Sequence, residues 1–505
     1  MSGERSLFGS KWLGLVLMIA LPVALVLWGY VSLRSSFSSD DAEAEILNMA
    51  WRLCRGQSLY RGINTPPYVF ALYPPAYYAA TAFFLKFVGL SFLPAELISA
   101  ASTLAVGAAV YLLARGYNAS AREGLSIAAL LFFVPAFLFN SLRCHPQMMA
   151  TMFTLASLFF FLRGERFGRL VVSPLLAAFA LYTKQTEVAL PMAVAVFLVL
   201  RDRRALLAYL GVLVTAVLLP AALLDYCTGG SFLFDVISLA IPAYHARVIL
   251  PQLYGLLGPI AILLCVVSYC TARRFGSRCW DVLDLYFVIL LLITTVSLGR
   301  LGSDAQYVLQ LVVVSFVCLA RESAIIHGWQ NMLLKLQFTA LVAAAPWLIV
   351  HNKVLPQLTA IRSADTVYRA LRKTDGPILS EKNSFPLFVN GEIYVQLFHF
   401  EALQRAGRWN EQPLLDRANE SFFAAVVTEF PLDRTIEQRG DRMRFSPELV
   451  QALRSHYELA LAAYPYYVYL PRRPKAADLQ SKAELPWKFA RGGVDTRSPE
   501  NNCRE

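Results

Sequence analysis

Apolar stretches long enough to cross a bilayer recur from Trp12 to Val350, each separated from the next by a short polar or arginine-bearing stretch. A spanning helix needs about 20 predominantly apolar residues, so the pattern predicts many crossings. The loops Arg115–Arg122, Arg163–Arg169, Arg201–Arg204 and Arg273–Arg278 belong on the cytoplasmic side by the positive-inside rule. The apolar runs between them must leave that side and return. Between Arg122 and Arg163, the runs Gly124–Leu142 and Met148–Leu162 flank the polar island Arg143-Cys144-His145-Pro146-Gln147, which is therefore expected outside. Between Arg169 and Arg201 two short apolar halves flank Thr183-Lys184-Gln185-Thr186-Glu187. One straight helix would bury Lys184 and Glu187 near mid-bilayer at about 2.5–3.5 kcal/mol each. A break and a second outer island are expected instead.

The first apolar stretch, Trp12–Val31, has no small-residue cleavage site before Ser35 and reads as a retained helix rather than a signal peptide. It puts the amino terminus in the cytoplasm and the loop 32–72 outside. Leu206–Leu224 rises to a second outer loop, 225–252, carrying Tyr244, His245 and Arg247, and the Gly299–Tyr307 stretch caps a later rise. A last rise, Leu336–Val350, leaves everything from His351 outside. From Ala364 the composition changes, charges mixing with the short apolar runs Pro377–Leu379, Phe422–Val427 and Tyr464–Leu470, as in a small soluble α/β unit. Gly391, Tyr394 and His399 fall there, in a stretch that a strand core and a turn would explain. The expected fold is mainly α: a polytopic membrane unit, residues 1–350, with about 11 to 13 transmembrane segments, then a soluble extracytoplasmic unit, residues 351–505. The interruption Gly89–Pro94 leaves the number of crossings between Tyr73 and Ala114 open.

Composition agrees with the pattern. Of the 505 residues, 57% are hydrophobic and 16% charged, a balance a water-soluble fold of this size would struggle to cover with polar surface. The net charge of +11 resides largely in the short Arg-bearing loops, so topology explains it and no nucleic-acid partner is implied. The eight cysteines show neither CxxC nor zinc-like spacing, which argues against a metal centre or a disulfide framework built from them.

Candidate chemistry concentrates on the outer side. Ser38-Ser39-Asp40-Asp41-Ala42-Glu43-Ala44-Glu45 places four carboxylates just past the first helix. Such a cluster can deprotonate an acceptor or hold a divalent cation. It equally suits a helix start, with Ser39 or Asp40 as N-cap and acids in the first turn. Downstream stand Gly56, Leu59-Tyr60 and Tyr73-Pro74-Pro75.

This order of features resembles the bacterial branch of the GT-C glycosyltransferase superfamily, the polytopic enzymes that include protein O-mannosyltransferases and lipid A aminoarabinose transferases. In those families an acidic motif after the first helix is followed by Gly, Leu-Tyr and a Pro-Pro pair, then by an Arg-x-Asp, a Lys-bearing break and a Gly-Ser/Ala-x-x-Asn-Tyr. Arg143-Cys144-His145, Thr183-Lys184-Gln185-Thr186 and Gly302-Ser303-Asp304-Ala305-Gln306-Tyr307 stand in the last three places, with His145 where Asp is usual and Gln306 where Asn is usual. The resemblance implies sugar transfer from a polyprenyl-phosphate donor to a hydroxyl of a lipid, glycan or protein acceptor, with inversion, in a bacterial plasma membrane. It assigns Asp40 as base, Asp41 as its nearest substitute, and Glu43 as a group that orients the acceptor or assists a Mg or Mn ion.

Lys184 and Arg143 are the candidates for the phosphate, because both lie at outward breaks and Arg offers paired donors; the plainer reading has each snorkel to lipid headgroups. Gln185 accompanies Lys184 as a substrate-binding candidate. His145 is either an acid–base group or a hydrogen-bonded structural histidine. Tyr244, His245 and Arg247 either fold over a donor or belong to a solvated interfacial helix, and Tyr307 either stacks on a sugar or anchors the interface. A lipid-linked-sugar transporter or flippase is the competing class, although it would carry inverted repeats and midplane charges; a noncatalytic membrane scaffold is the third.

Overall fold

The computed structural model describes residues 40–239, 244–300, 302–323, 325–326, 328–351, 355–433 and 444–472. The retained first helix expected at Trp12–Val31 lies outside them. Helices dominate from Asp40 to Leu371. In order they are α1 (Asp41–Cys54), α2 (Pro75–Val88), α3 (Leu93–Gly116), α4 (Ala121–Leu131), α5 (Pro135–Asn140) and α6 (Gln147–Arg163). Then come α7 (Ser173–Thr183), α8 (Ala189–Arg201), α9 (Arg203–Cys227), α10 (Ala246–Gly276), α11 (Val282–Ser297), α12 (Ala305–Glu322), α13 (Trp329–Ile349) and α14 (Leu355–Leu371).

Among the described residues, α3, α9, α10 and α12 are long and apolar enough to cross a membrane, and α6, Gly168–Thr183, α8 and α11 are shorter apolar helices. Helix α12 is the axis of the bundle: Val308 to Ala320 are buried without interruption. Helix α9 buries only Tyr209 and Leu213 and presents Leu207, Leu218, Leu219 and Leu223 outward, the pattern of a helix whose solvent is lipid.

The bundle has two chemically distinct ends. One carries the Arg-bearing loops. There Asp281 caps α11 in a reciprocal box with Asp284, and both acids pair with Arg274 and Arg321, with Arg321 Nη1 2.8 Å from Asp281 and Arg274 Nε 3.0 Å from Asp284. Asp284 is wholly buried, so the two guanidinium groups compensate a carboxylate that would otherwise be costly to desolvate. The other end carries the polar islands.

The open question over Tyr73–Ala114 resolves here. Tyr77, near the start of α2, donates to the carbonyl of Ala95, near the start of α3, at 3.1 Å. Ser99 of α3 donates to the carbonyl of Arg143 in the first island, whereas a Cβ on Gly116 would fall 2.4 Å from the Arg163 guanidinium. Helix α3 therefore runs from the island end to the arginine end, and of the two helices it is the one long and apolar enough to cross a membrane. Helix α2 stays at the island end with Phe83, Phe84 and Phe87 exposed, the aromatic face of an interfacial helix.

After α14 the chain forms a small sheet with β1 (Ile378–Ser380), β2 (Ala425–Thr428), β3 (Tyr457–Ala463) and β4 (Tyr466–Pro471), in the order β1-β2-β4-β3. β1 and β2 are parallel and the other pairs antiparallel. The crossover from β1 to β2 holds α15 (Ser384–Asn390), α16 (Leu397–Arg405) and α17 (Gln412–Asn419), and α18 (Pro447–His456) precedes β3. The sheet region is sewn to the first loop: Tyr68 bridges Val395 in parallel, and Gln396 exchanges hydrogen bonds with the backbone of Phe70.

Candidate functional site

The site is built where α1, the first island, the Lys184 break and the start of α12 meet. Asp40 is the N-cap of α1: one oxygen accepts from the Ala42 amide at 3.1 Å, and the other is ion-paired with Arg143 Nη2. The capping role expected of Asp40 is therefore seen, and its second oxygen is held by Arg143. Glu43, one turn on, is 9% exposed; it accepts from the Cys144 amide at 3.0 Å and lies 3.7 Å from Arg143 Nε. Arg143 Nη1 pairs with Asp304 at 3.2 Å. A single guanidinium fork thus faces three carboxylates from two separate stretches of chain, the start of α1 and the start of α12, an arrangement its planar donors suit. Asp41 opens α1, and its side chain is outside the described residues.

Asp304 also caps α12 through the Gln306 amide, and this carries the cluster on to Lys184. Lys184 ends α7, 5% exposed. Its ammonium donates to Gln306 Oε1 at 3.0 Å and to Gln147. It also sits 5.4 Å from the Tyr307 ring centre and 5.8 Å from that of Tyr73, within range of the attraction between a cation and a π face. Burial pushes the Lys184 ammonium down to about 8, and the nearby charges of Glu187 and Asp304 hold it from falling further. Glu187 accepts from Gln147, Thr154 and Gln310. Its burial pushes its carboxyl up.

His145 is buried, and its Nε2 is 3.0 Å from the Tyr73 hydroxyl while Nδ1 has no hydrogen-bond partner among the described residues. Burial first, then the charges of Lys184 and Arg143, holds it well below the usual histidine range. It is a neutral imidazole between two cations.

The remaining candidates lie apart. Gln185 donates to the carbonyls of Leu72 and Val236, tying the first outer loop to the second. Tyr244 bridges Arg300 and lies over Gly299, where a Cβ would meet the ring at 2.6 Å; it is half exposed. His245 is exposed beside it, and Arg247 is exposed in the first turn of α10, which begins within the stretch expected as loop 225–252. Asp304 is the site residue that sequence reasoning passed over. It sits inside the Gly302–Tyr307 stretch, but nothing local marks it as the partner of an arginine 161 positions earlier.

The carboxylate cluster does not suit a Mg or Mn ion as it stands. The space such an ion would share with Asp40, Glu43 and Asp304 is taken by the Arg143 fork, and among the described residues no group of three or more His, Cys, Asp or Glu is placed to hold a metal.

Residues 73–224 match the family described as dolichyl-phosphate-mannose-protein mannosyltransferase. No curated protein matches the chain by sequence. Among solved structures, ArnT from Cupriavidus metallidurans in the apo state is similar over 91% of this chain and 98% of its own, at a TM-score of 0.62 and 15% identity. The same protein bound to undecaprenyl phosphate gives 0.61 and 14% over the same shares. The Archaeoglobus fulgidus oligosaccharyltransferase, in complex with Zn and sulfate, is similar over 88% of this chain and 71% of its own, at 0.50 and 13%. The family match takes in both polar islands, and the likeness to ArnT, which covers most of the chain, shows that the two share a fold.

Proposed function

We propose that this protein transfers a sugar from a polyprenyl-phosphate donor to an acceptor hydroxyl at the outer face of a bacterial plasma membrane, inverting the anomeric centre. The observation that supports this most is the convergence of Asp40, Arg143, Asp304 and Lys184 at the end of the bundle away from the arginine loops. The sheet region lies on that same side, which on this reading is extracytoplasmic, and the amino terminus is assigned to the cytoplasm.

In the reaction the acceptor oxygen attacks the anomeric carbon while the bond from that carbon to the phosphate oxygen breaks, and polyprenyl phosphate leaves. Arg143 and Lys184 bind the phosphate and stabilise the charge gathering on it. Asp40 takes the acceptor proton. The ion pair between Asp40 and Arg143 links the two tasks: when the donor phosphate occupies the guanidinium, Asp40 loses its partner and becomes a better base. Glu43, held by the Cys144 amide, keeps Arg143 in place. The neutral His145 holds the Tyr73 hydroxyl and with it the ring beside Lys184. In this reading Arg143 stands where a divalent ion would otherwise bring positive charge to the phosphate.

The direct test incubates full-length protein in nanodiscs with a panel of radiolabelled undecaprenyl-phosphate sugars and mixed lipid, glycan and peptide acceptors, with and without EDTA. Transfer from at least one donor, unchanged by EDTA, is expected. No transfer from any donor would favour the flippase or scaffold, and loss with EDTA would overturn the role given to Arg143.

The Lys184 ammonium sets a second expectation. It is charged below about pH 8 and neutral above, so undecaprenyl phosphate affinity falls roughly tenfold between pH 7 and pH 9 as that proton is lost. Lys184→Arg, which keeps its charge, flattens the profile. Calorimetric titration across this range reads it, and a flat wild-type profile would remove Lys184 from the phosphate site.

A further inference from the structure

Helix α1 carries a second polar stripe. Glu45, Asn48 and Arg52 are 4%, 0% and 5% exposed, spaced three and four residues apart so that they share one face. Glu43 lies about 200° round the helix from Glu45 at 3.6 residues per turn. The site carboxylates and this stripe therefore occupy different sides of one helix.

Every member of the stripe is held by the segment 383–399 of the sheet region. Glu45 accepts from Asn383 Nδ2 at 2.8 Å and lies 3.1 Å from His399 Nε2. Asn48 Oδ1 accepts from the Ile393 amide at 3.2 Å. Arg52 is ion-paired with Glu392. The segment is itself pinned, since α15 ends at Gly391 in a left-handed conformation that turns the chain back towards α1, and Val395 pairs with Tyr68. Buried polar pairs of this kind contribute more to fixing one geometry than to net stability.

We infer that the segment 383–399 sets the axial position and rotation of α1, and so the reach of Asp40 to the acceptor, which makes Glu392, Asn383 and His399 positioning residues for transfer. This rests on the glycosyltransferase reading above and gives the C-terminal region a role as a brace of the site. A rotation of α1 by a fraction of a turn would move Asp40 from Arg143, and misplacements near 1 Å cost as much as about 10²-fold in rate.

The test compares wild type with Arg52→Glu, Glu392→Arg and the double exchange, with Glu45→Gln as a milder variant, in full-length protein in nanodiscs. Two readouts are taken: kcat and donor KM for the sugar donor found active in the panel above, and amide hydrogen exchange of residues 41–47. Each single exchange is expected to lower kcat about tenfold while undecaprenyl phosphate binds no more weakly, since drawing Asp40 from Arg143 frees the guanidinium. Protection over 41–47 falls with it, and the double exchange restores both. Wild-type kcat and protection in the singles would overturn the inference, as would a loss that the double exchange does not restore. If wild type transfers from no donor, the glycosyltransferase reading falls, and hydrogen exchange alone decides the brace.

Discussion

Asp40→Asn is expected to slow glycosyl transfer by about 10²–10⁴-fold, the range a positioned general base supplies, while undecaprenyl phosphate binds at least as tightly as before. The second half separates this outcome from simple damage. Asparagine still accepts from the Ala42 amide, so the cap of α1 survives, but it no longer neutralises Arg143. The guanidinium is freed for phosphate. Turnover and donor affinity therefore move in opposite directions, as for a residue whose contribution is made in the transition state. Single-turnover kinetics with a saturating labelled donor, beside a binding titration, read both. Glu43→Gln provides the contrast: it weakens the hold on Arg143, lowers affinity and rate together, and leaves the base. Should Glu43→Gln show the larger loss in kcat with affinity unchanged, the base would be Glu43.

Replacing the fork gives the second large effect. Arg143→Lys keeps one positive charge but cannot address Asp40, Glu43 and Asp304 together with a phosphate, and kcat is expected to drop about 10²–10³-fold, the loss typical of one oxyanion-stabilising donor. Arg143→Met removes the charge and leaves three carboxylates facing one another. It is expected to lower the thermal midpoint as well as activity, and adding Glu43→Gln recovers part of the midpoint without recovering transfer. An Arg143→Lys enzyme with wild-type kcat would show that the fork is structural.

Much of this was legible in the sequence. The arginine loops and polar islands gave the two ends of the bundle, and the cost of burying Lys184 foretold the break between α7 and α8. The apolar runs at Pro377, Phe422 and Tyr464 marked β1, β2 and β4. β3 escaped notice because it is an exposed edge strand, Tyr-Glu-Leu-Ala-Leu-Ala-Ala, with no apolar alternation facing a core. Asp304 and the Glu45–Asn48–Arg52 stripe were missed for a different reason. Periodicity shows which face a residue occupies, but not which distant segment meets it. Whether one helix or two crosses between Tyr73 and Ala114 depended on a contact between Tyr77 and Ala95, which hydropathy does not encode.

The brevity of the helices around the Lys184 break has a consequence for where the reaction happens. Gly168–Thr183 has 16 residues and Ala189–Arg201 has 13, so at 1.5 Å per residue they rise about 24 and 20 Å, against a hydrocarbon thickness of about 30 Å. The ammonium between them therefore sits below the level that full-length helices would reach. In a bilayer, helices this short would draw the surface into a dimple around the break, and on the proposed function a polyprenyl phosphate sliding in from the side would meet the cations without its headgroup rising into water. Thicker hydrocarbon would deepen that dimple and thinner hydrocarbon flatten it, so acyl-chain length is expected to act on donor access while every side chain stays unchanged.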